Sequence, residues 1–238
     1  MKKNFTLIKC FFLSLFISST ACNRESRNLY IFNKTEDKDS KTWDQEVETL
    51  THDSLVREYV LYIPSNYDES ITYPLMLNFH GFGGEAGQYI SYADMRSLAD
   101  TENFILVYPQ GTLSSGFPHW NPSLPSSDNK SDVDDLGFVE ALIRELSSNY
   151  NIDLERVYAC GFSNGGMMAY GLAQHKSELI AGIASVSGVM LESDVKPIHP
   201  MPVLIIHGTL DGVLPYSCLL YTSPSPRDRT RSRMPSSA

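Results

Sequence analysis

Five consecutive residues, Gly161-Phe162-Ser163-Asn164-Gly165, constrain what this chain can fold into more than any other feature. The segment Arg156–Cys160 reads as a strand running straight into them, and residues 165–174 read as a helix running straight out. A chain that changes from strand to helix in so few residues must turn sharply. Glycines two residues either side of the serine leave room for that turn. It would lift the Ser163 hydroxyl above the end of a sheet and aim a helix N-terminus at the same point. Small residues also mark plain turns, so it is the two flanks that make Ser163 a candidate nucleophile.

The rest of the pattern supplies a sheet for that turn to stand on. Arg57–Ile63 (REYVLYI) alternates, is rich in aromatic and branched residues, and stops at Pro64. Leu75–Phe79 and Phe104–Tyr108 are short apolar runs suited to strands buried on both faces, and Gly182–Val186 and Val203–Ile206 continue the series. Helices are expected over residues 91–102, 135–150 and 165–174. In the second, Leu136, Val139, Leu142, Ile143 and Leu146 recur at helical spacing, with Asp134 or Asp135 as cap. The alternation predicts an α/β fold, a mainly parallel sheet flanked by helices.

Two further segments bear on chemistry. His80-Gly81-Phe82-Gly83-Gly84 follows a predicted strand, where a glycine-rich loop can present a backbone N–H to a developing oxyanion. Phe82 is the expected donor there, Asn164 the other, and His80 a support of the loop. Val203–Gly212 (VLIIHGTLDG) is a strand followed by an acid, placing Asp211 where it could orient a histidine, although Asp-Gly is also a turn dipeptide. Trp120 either stacks on a sugar or aromatic group or anchors its loop in the core. The carboxylates at 128, 132, 134 and 135 lack the glycine and terminal Glu of a calcium loop, so capping and solvation are expected of them. No zinc spacing or phosphate loop occurs, and neither metal nor cofactor is expected.

The ends differ from the middle. Residues 1–21 carry a basic start, an apolar run and small residues, which make an export signal too short for a membrane span. Cys22 follows directly, as in a bacterial lipoprotein box, where lipidation would anchor the protein to a membrane; a plain secretory signal is the alternative. Residues 22–43 are polar and read as a tether, and the folded domain is expected over 44–217. The tail 218–238 reads as non-native. One codon choice for CLLYTSPSPRD resembles a sequencing-library adapter, and one for RSRMPSSA resembles the far end of the same adapter. Residues 22–217 hold 12 basic and 27 acidic residues, a net charge of −15. That acidity argues against a nucleic-acid partner. Cys160 is the one cysteine left between the tether's start and the tail, so no disulfide is expected.

With those segments in view, the chain resembles the poly(3-hydroxybutyrate) depolymerase and feruloyl esterase-like family of secreted α/β-hydrolases, grouped as carbohydrate esterase family 1. The matching stretches are YVLYIPSNY, HGFGG, ILVYPQG, SDVDDLGFVEALI, NIDLERVYACGFSNGGMMAY and PVLIIHGTLDGVLPY, covering most of residues 57–216 in order. The resemblance implies an α/β-hydrolase sheet lacking its C-terminal strand and helix. It also implies a Ser–His–Asp esterase with Ser163 as nucleophile and Asp211 as acid. Its substrates would be feruloylated or acetylated plant polysaccharide, or a polyhydroxyalkanoate. The family's histidine follows its aspartate, whereas all six histidines here precede Asp211, so the chain as it stands is expected to be inactive. Rival readings are a glycan-binding surface lipoprotein with a degenerate site, and a serine peptidase, for which no gating domain is present.

Overall fold

The computed structural model describes residues 46–124, 131–191 and 196–216. The expectations for the export signal, the Cys22 anchor, the tether and the adapter-like tail lie outside these residues.

In chain order the strands are β1 (Val47–His52), β2 (Leu55–Tyr62), β3 (Tyr73–Phe79), β4 (Ile105–Pro109), β5 (Thr112–Ser114), β6 (Phe117–His119), β7 (Ile152–Phe162), β8 (Gly182–Val186) and β9 (Val203–Ile206). Seven form one sheet in the order β1-β2-β4-β3-β7-β8-β9, while β5 and β6 make a separate hairpin. The β1–β2 and β2–β4 pairs are antiparallel, and the other four pairs of the sheet are parallel. The helices are α1 (Ala86–Tyr89), α2 (Arg96–Glu102), α3 (Asp135–Asn149) and α4 (Asn164–His175).

Strand β4 shows why the apolar runs are continuous. Ile105 and Val107 join the core formed with α3 and α4, while Leu106 and Tyr108 join the one formed with α1 and α2. Both faces are covered, so every position is apolar. The helical stripe of α3 buries Leu136, Val139, Leu142, Ile143 and Leu146, as its spacing predicted.

At the start of α3 the two candidate caps divide their work. Asp134 accepts the Gly137 N–H (2.9 Å) and is the cap. Asp135 is buried, pairs with Arg57 Nη2 at 2.6 Å, and accepts the Asn121 N–H at 2.7 Å. Arg57 also lies over the Phe138 ring, its Cζ 3.8 Å from the centroid. Burial pushes Asp135 up and Arg57 down, opposed by their mutual attraction.

The helix expected over 91–102 begins only at Arg96. The Tyr108 hydroxyl donates to the Ala93 carbonyl (2.7 Å) and accepts the Met95 N–H (3.1 Å), removing both from any helical ladder. Asp94 takes the Arg96 N–H as well (3.1 Å). Helix α2 ends at Asn103, which adopts the left-handed conformation.

Candidate active site

Strand β7 delivers the chain into the turn at Ser163, and α4 starts at the next residue. Ser163 has φ 54° and ψ −116°, a sparsely populated conformation for a non-glycine residue. Close packing holds it there. A Cβ on Gly161 would collide with Gly165, and one on Gly165 would collide with the Phe79 carbonyl. The Ser163 N–H donates to the Val186 carbonyl at the end of β8 (2.8 Å). Met167 N–H makes the first bond back to the Ser163 carbonyl (3.0 Å), so the N–H groups of residues 164–166 have no acceptor within the helix. They give the turn a positive electrostatic end, suited to a developing oxyanion.

Three buried residues lock the surroundings. Asn164 accepts the Trp120 N–H through Oδ1 (2.8 Å) and donates through Nδ2 to the Trp120 carbonyl (3.1 Å). The Trp120 indole N–H donates to the His80 carbonyl (3.0 Å), and its ring packs edge-on to Phe79. With Trp120 only 1% exposed, no face of the ring remains for a sugar. Of the two roles open to Trp120, the loop anchor is the one the fold builds, and the substrate-stacking expectation is corrected by this burial.

His80 holds the glycine-rich loop. Its Nδ1–H donates to the Gly81 carbonyl (2.7 Å), and its Nε2 accepts from the Gly111 N–H (3.0 Å). Burial pushes its pKa down to about 4, so the ring is neutral at ordinary pH. The loop closes on itself through the Gly84 N–H and the Gly81 carbonyl (3.0 Å), and Gly83 N–H donates to Pro118 on β6 (2.7 Å). Gly81 comes close enough to Ser163 that a Cβ there would lie 3.5 Å from the serine Cβ, which sets Phe82 beside the turn.

Asp211 follows β9, at the same end of the parallel strands as Ser163. Its Oδ1 accepts the N–H groups of Val213 and Leu214, both at 2.9 Å. Those backbone donors, Leu214 foremost, hold its carboxyl below the usual range, helped by His207 and the Ser187 hydroxyl. Ser187 directly follows Val186, whose carbonyl anchors Ser163. The His207 side chain is buried, with Nε2–H donating to the Leu214 carbonyl (2.7 Å). His119 Nδ1 bonds the Thr112 carbonyl (2.9 Å), and its Nε2 bonds Ser131 (3.1 Å). Among the described residues, no histidine is hydrogen-bonded to Ser163.

One group of metal-ligating side chains occurs among the described residues, His52, Asp53 and Asp134, with ligand atoms within 4.8 Å of one another. It lies at the β1–β2 turn, and Asp134 is already the cap of α3. Sequence reading missed both the Arg57–Asp135 pair and the side-chain role of Asn164. An arginine heading an alternating strand and an asparagine after a serine carry no local sign of such partners.

A largely parallel sheet with a serine at a strand–helix turn, a glycine-rich loop beside it and an acid at the end of a later strand defines the α/β-hydrolase class. Residues 72–225 match the family model described as Phospholipase/Carboxylesterase, and the chain belongs to that family. Among curated relatives, NocK of Nocardia uniformis subsp. tsuyamanensis, assigned as an esterase, is 36% identical over 65% of this chain and 44% of its own length. The bifunctional acetylxylan esterase/xylanase XynS20E of Neocallimastix patriciarum is 34% identical over 67% of this chain and 22% of its own. Feruloyl esterase B of Piromyces equi is 29% identical over 68% and 30%. The chain thus spans less than half the length of these relatives. Of solved structures, an acetyl xylan esterase from Aspergillus awamori superposes with a TM-score of 0.59 at 18% identity, over 74% of this chain and 77% of its own. A thermostable esterase gives 0.61 at 23% identity, over 75% and 51%. Both share the fold.

Proposed function

We propose that this protein is a serine carboxylic ester hydrolase acting on acyl esters of plant polysaccharide, feruloyl or acetyl. The observation that carries this reading is Ser163 at a strained strand–helix turn whose N-terminal N–H groups have no acceptor within the helix. Ser163 attacks the ester carbonyl, and the N–H groups of Phe82 and Asn164 receive the oxyanion. The acyl-serine then forms as the alcohol leaves, and water releases the acid and restores the serine. Asp211, held ionised by two backbone N–H groups, is suited to orient a protonated histidine. The relatives named as acetylxylan and feruloyl esterases support the polysaccharide side over the polyester. Export fits a polymeric substrate outside the cell, with lipidation at Cys22 as the route to a membrane anchor.

Among the described residues no histidine is hydrogen-bonded to Ser163: His80 and His119 are buried and bonded elsewhere, and the His207 ring bonds the Leu214 carbonyl. We therefore expect the product of the whole chromosomal gene to supply that base, and residues 1–238 alone to turn over about 10⁶-fold more slowly. The test is labelling by a fluorophosphonate probe, with hydrolysis of acetylated xylan and of methyl ferulate measured in parallel. The whole gene product should be labelled and active, and its Ser163→Ala variant neither. Binding of glycan without labelling of Ser163 would instead favour a degenerate, carbohydrate-binding hydrolase fold.

A further inference from the structure

The side chains gathered at the β1–β2 turn have no part in ester hydrolysis, and all three are of types that ligate metals. His52 ends β1, Asp53 follows it into the turn, and Asp134 caps α3 from far along the chain. His52 Nε2 lies 3.4 Å from Asp134 Oδ2 and 3.8 Å from Asp53 Oδ2. One ligand atom from each residue falls within 4.8 Å of the other two.

Two further observations mark the space between them. His52 Nε2 is shut off from solvent, yet among the described residues it has no hydrogen-bond partner. A buried imidazole nitrogen left in that state is costly unless something takes it up. Gly137 supplies the room, because a Cβ there would collide with Asp134 Oδ2 and lie 2.9 Å from His52 Nε2. The cap bond uses only Asp134 Oδ1, which accepts the Gly137 N–H at 2.9 Å, and leaves Oδ2 as the oxygen nearer His52. Asp53, its side chain 69% exposed, stands on the solvent side, where an ion would enter.

From this the geometry points to a metal site: His52 Nε2, Asp53 Oδ2 and Asp134 Oδ2 bind one divalent cation of the zinc class, with water completing its coordination. Bonds of about 2.0–2.1 Å in a tetrahedral site set ligand atoms about 3.4 Å apart, close to the separations from His52 Nε2. A nitrogen ligand disfavours calcium and magnesium, which take oxygen, and suits zinc. The two carboxylates offset the charge of the ion. Bound there, it fastens the β1–β2 hairpin to the start of α3, whose next residue, Asp135, already holds Arg57 of β2. The site is a structural clamp, and it stands independently of the esterase reading.

Calorimetric titration of the metal-stripped whole gene product with zinc chloride tests this. One zinc ion per chain should bind at this site, His52→Ala should weaken it about 100-fold, and Asp53→Asn about tenfold. Zinc should raise the thermal unfolding midpoint of the parent and leave that of His52→Ala where it was. His199→Ala, which removes an exposed histidine elsewhere, should change nothing, and magnesium chloride should not stabilise the parent. Absence of zinc binding, or binding unchanged in His52→Ala, overturns the site and leaves His52 as a plain neighbour of Asp134. Should His52→Ala fail to fold, Asp53→Asn, altered only at the exposed turn, decides the matter: zinc affinity equal to the parent's overturns the site. None of these readouts involves Ser163, so failure of the esterase reading would leave the site standing.

Discussion

On the proposed reading, Asn164 serves two purposes with two different groups. Its backbone N–H sits at the head of α4, where an oxyanion would be received, while its side chain satisfies both polar groups of the Trp120 backbone. The first role belongs to position in the chain, and any residue after the serine would supply it. The second needs an amide, because only an amide both accepts and donates at this spacing. Asn164→Ala should therefore leave the N–H in place but strand a buried N–H and a buried carbonyl on Trp120. We expect a loss of about 3 kcal/mol in urea unfolding, with Asn164→Asp recovering only the accepting half. An alanine variant as stable as the parent would show that Trp120 finds other partners.

His80 acts between elements, clipping the loop after β3 to the chain leaving β4 through the Gly111 N–H. This requires Nε2 to stay unprotonated, and burial holds the pKa near 4 against 6.5 for a free histidine. As pH falls, the unfolded chain takes up this proton first, so the stability contributed by His80 is whole above pH 6.5. It erodes between pH 6.5 and about 4, and at 1.36 kcal/mol per pH unit the total is about 3 kcal/mol. Asp211, shifted below its ordinary value, loses its contribution only below the usual carboxylate range, so the two windows separate. Urea midpoints between pH 7.5 and 4 should fall along this curve. A flat profile down to pH 4.5 would mean His80 is charged or solvated.

At the scale of the whole sheet, the described residues cover its centre well and leave the β9 side exposed. Strand β9 runs parallel to β8 as far as Ile206, yet Val203, Leu204, Ile205 and Ile206 are all exposed. Among the described residues no strand pairs with the outer side of β9, and four consecutive exposed aliphatic residues there favour strand addition between molecules. Residues 1–238 should therefore self-associate at micromolar concentration in light scattering, and Leu204→Lys should suppress this without altering the unfolding midpoint. A monodisperse chain that gains nothing from the lysine would contradict it.

Local pattern by itself determined the strands at the sheet's centre, the stripe of α3 and the turn at Ser163. Each depends on periodicity or on glycines required by near neighbours, so a short window holds the information. Strand β1 and the β5–β6 hairpin escaped that reading, because one shows a single half-buried face and the other has three-residue arms. The break before α2 escaped it as well, since Tyr108 imposes it from another strand. Tertiary structure alone decided the fates of polar and aromatic residues whose partners lie far along the chain. Arg57 meets Asp135 across 78 positions, and Trp120 meets Asn164 across 44. It also sorted the aromatics, burying Trp120 and leaving Phe82 and Phe117 in water. Composition cannot distinguish such rings, because their exposure depends on which backbone passes over them.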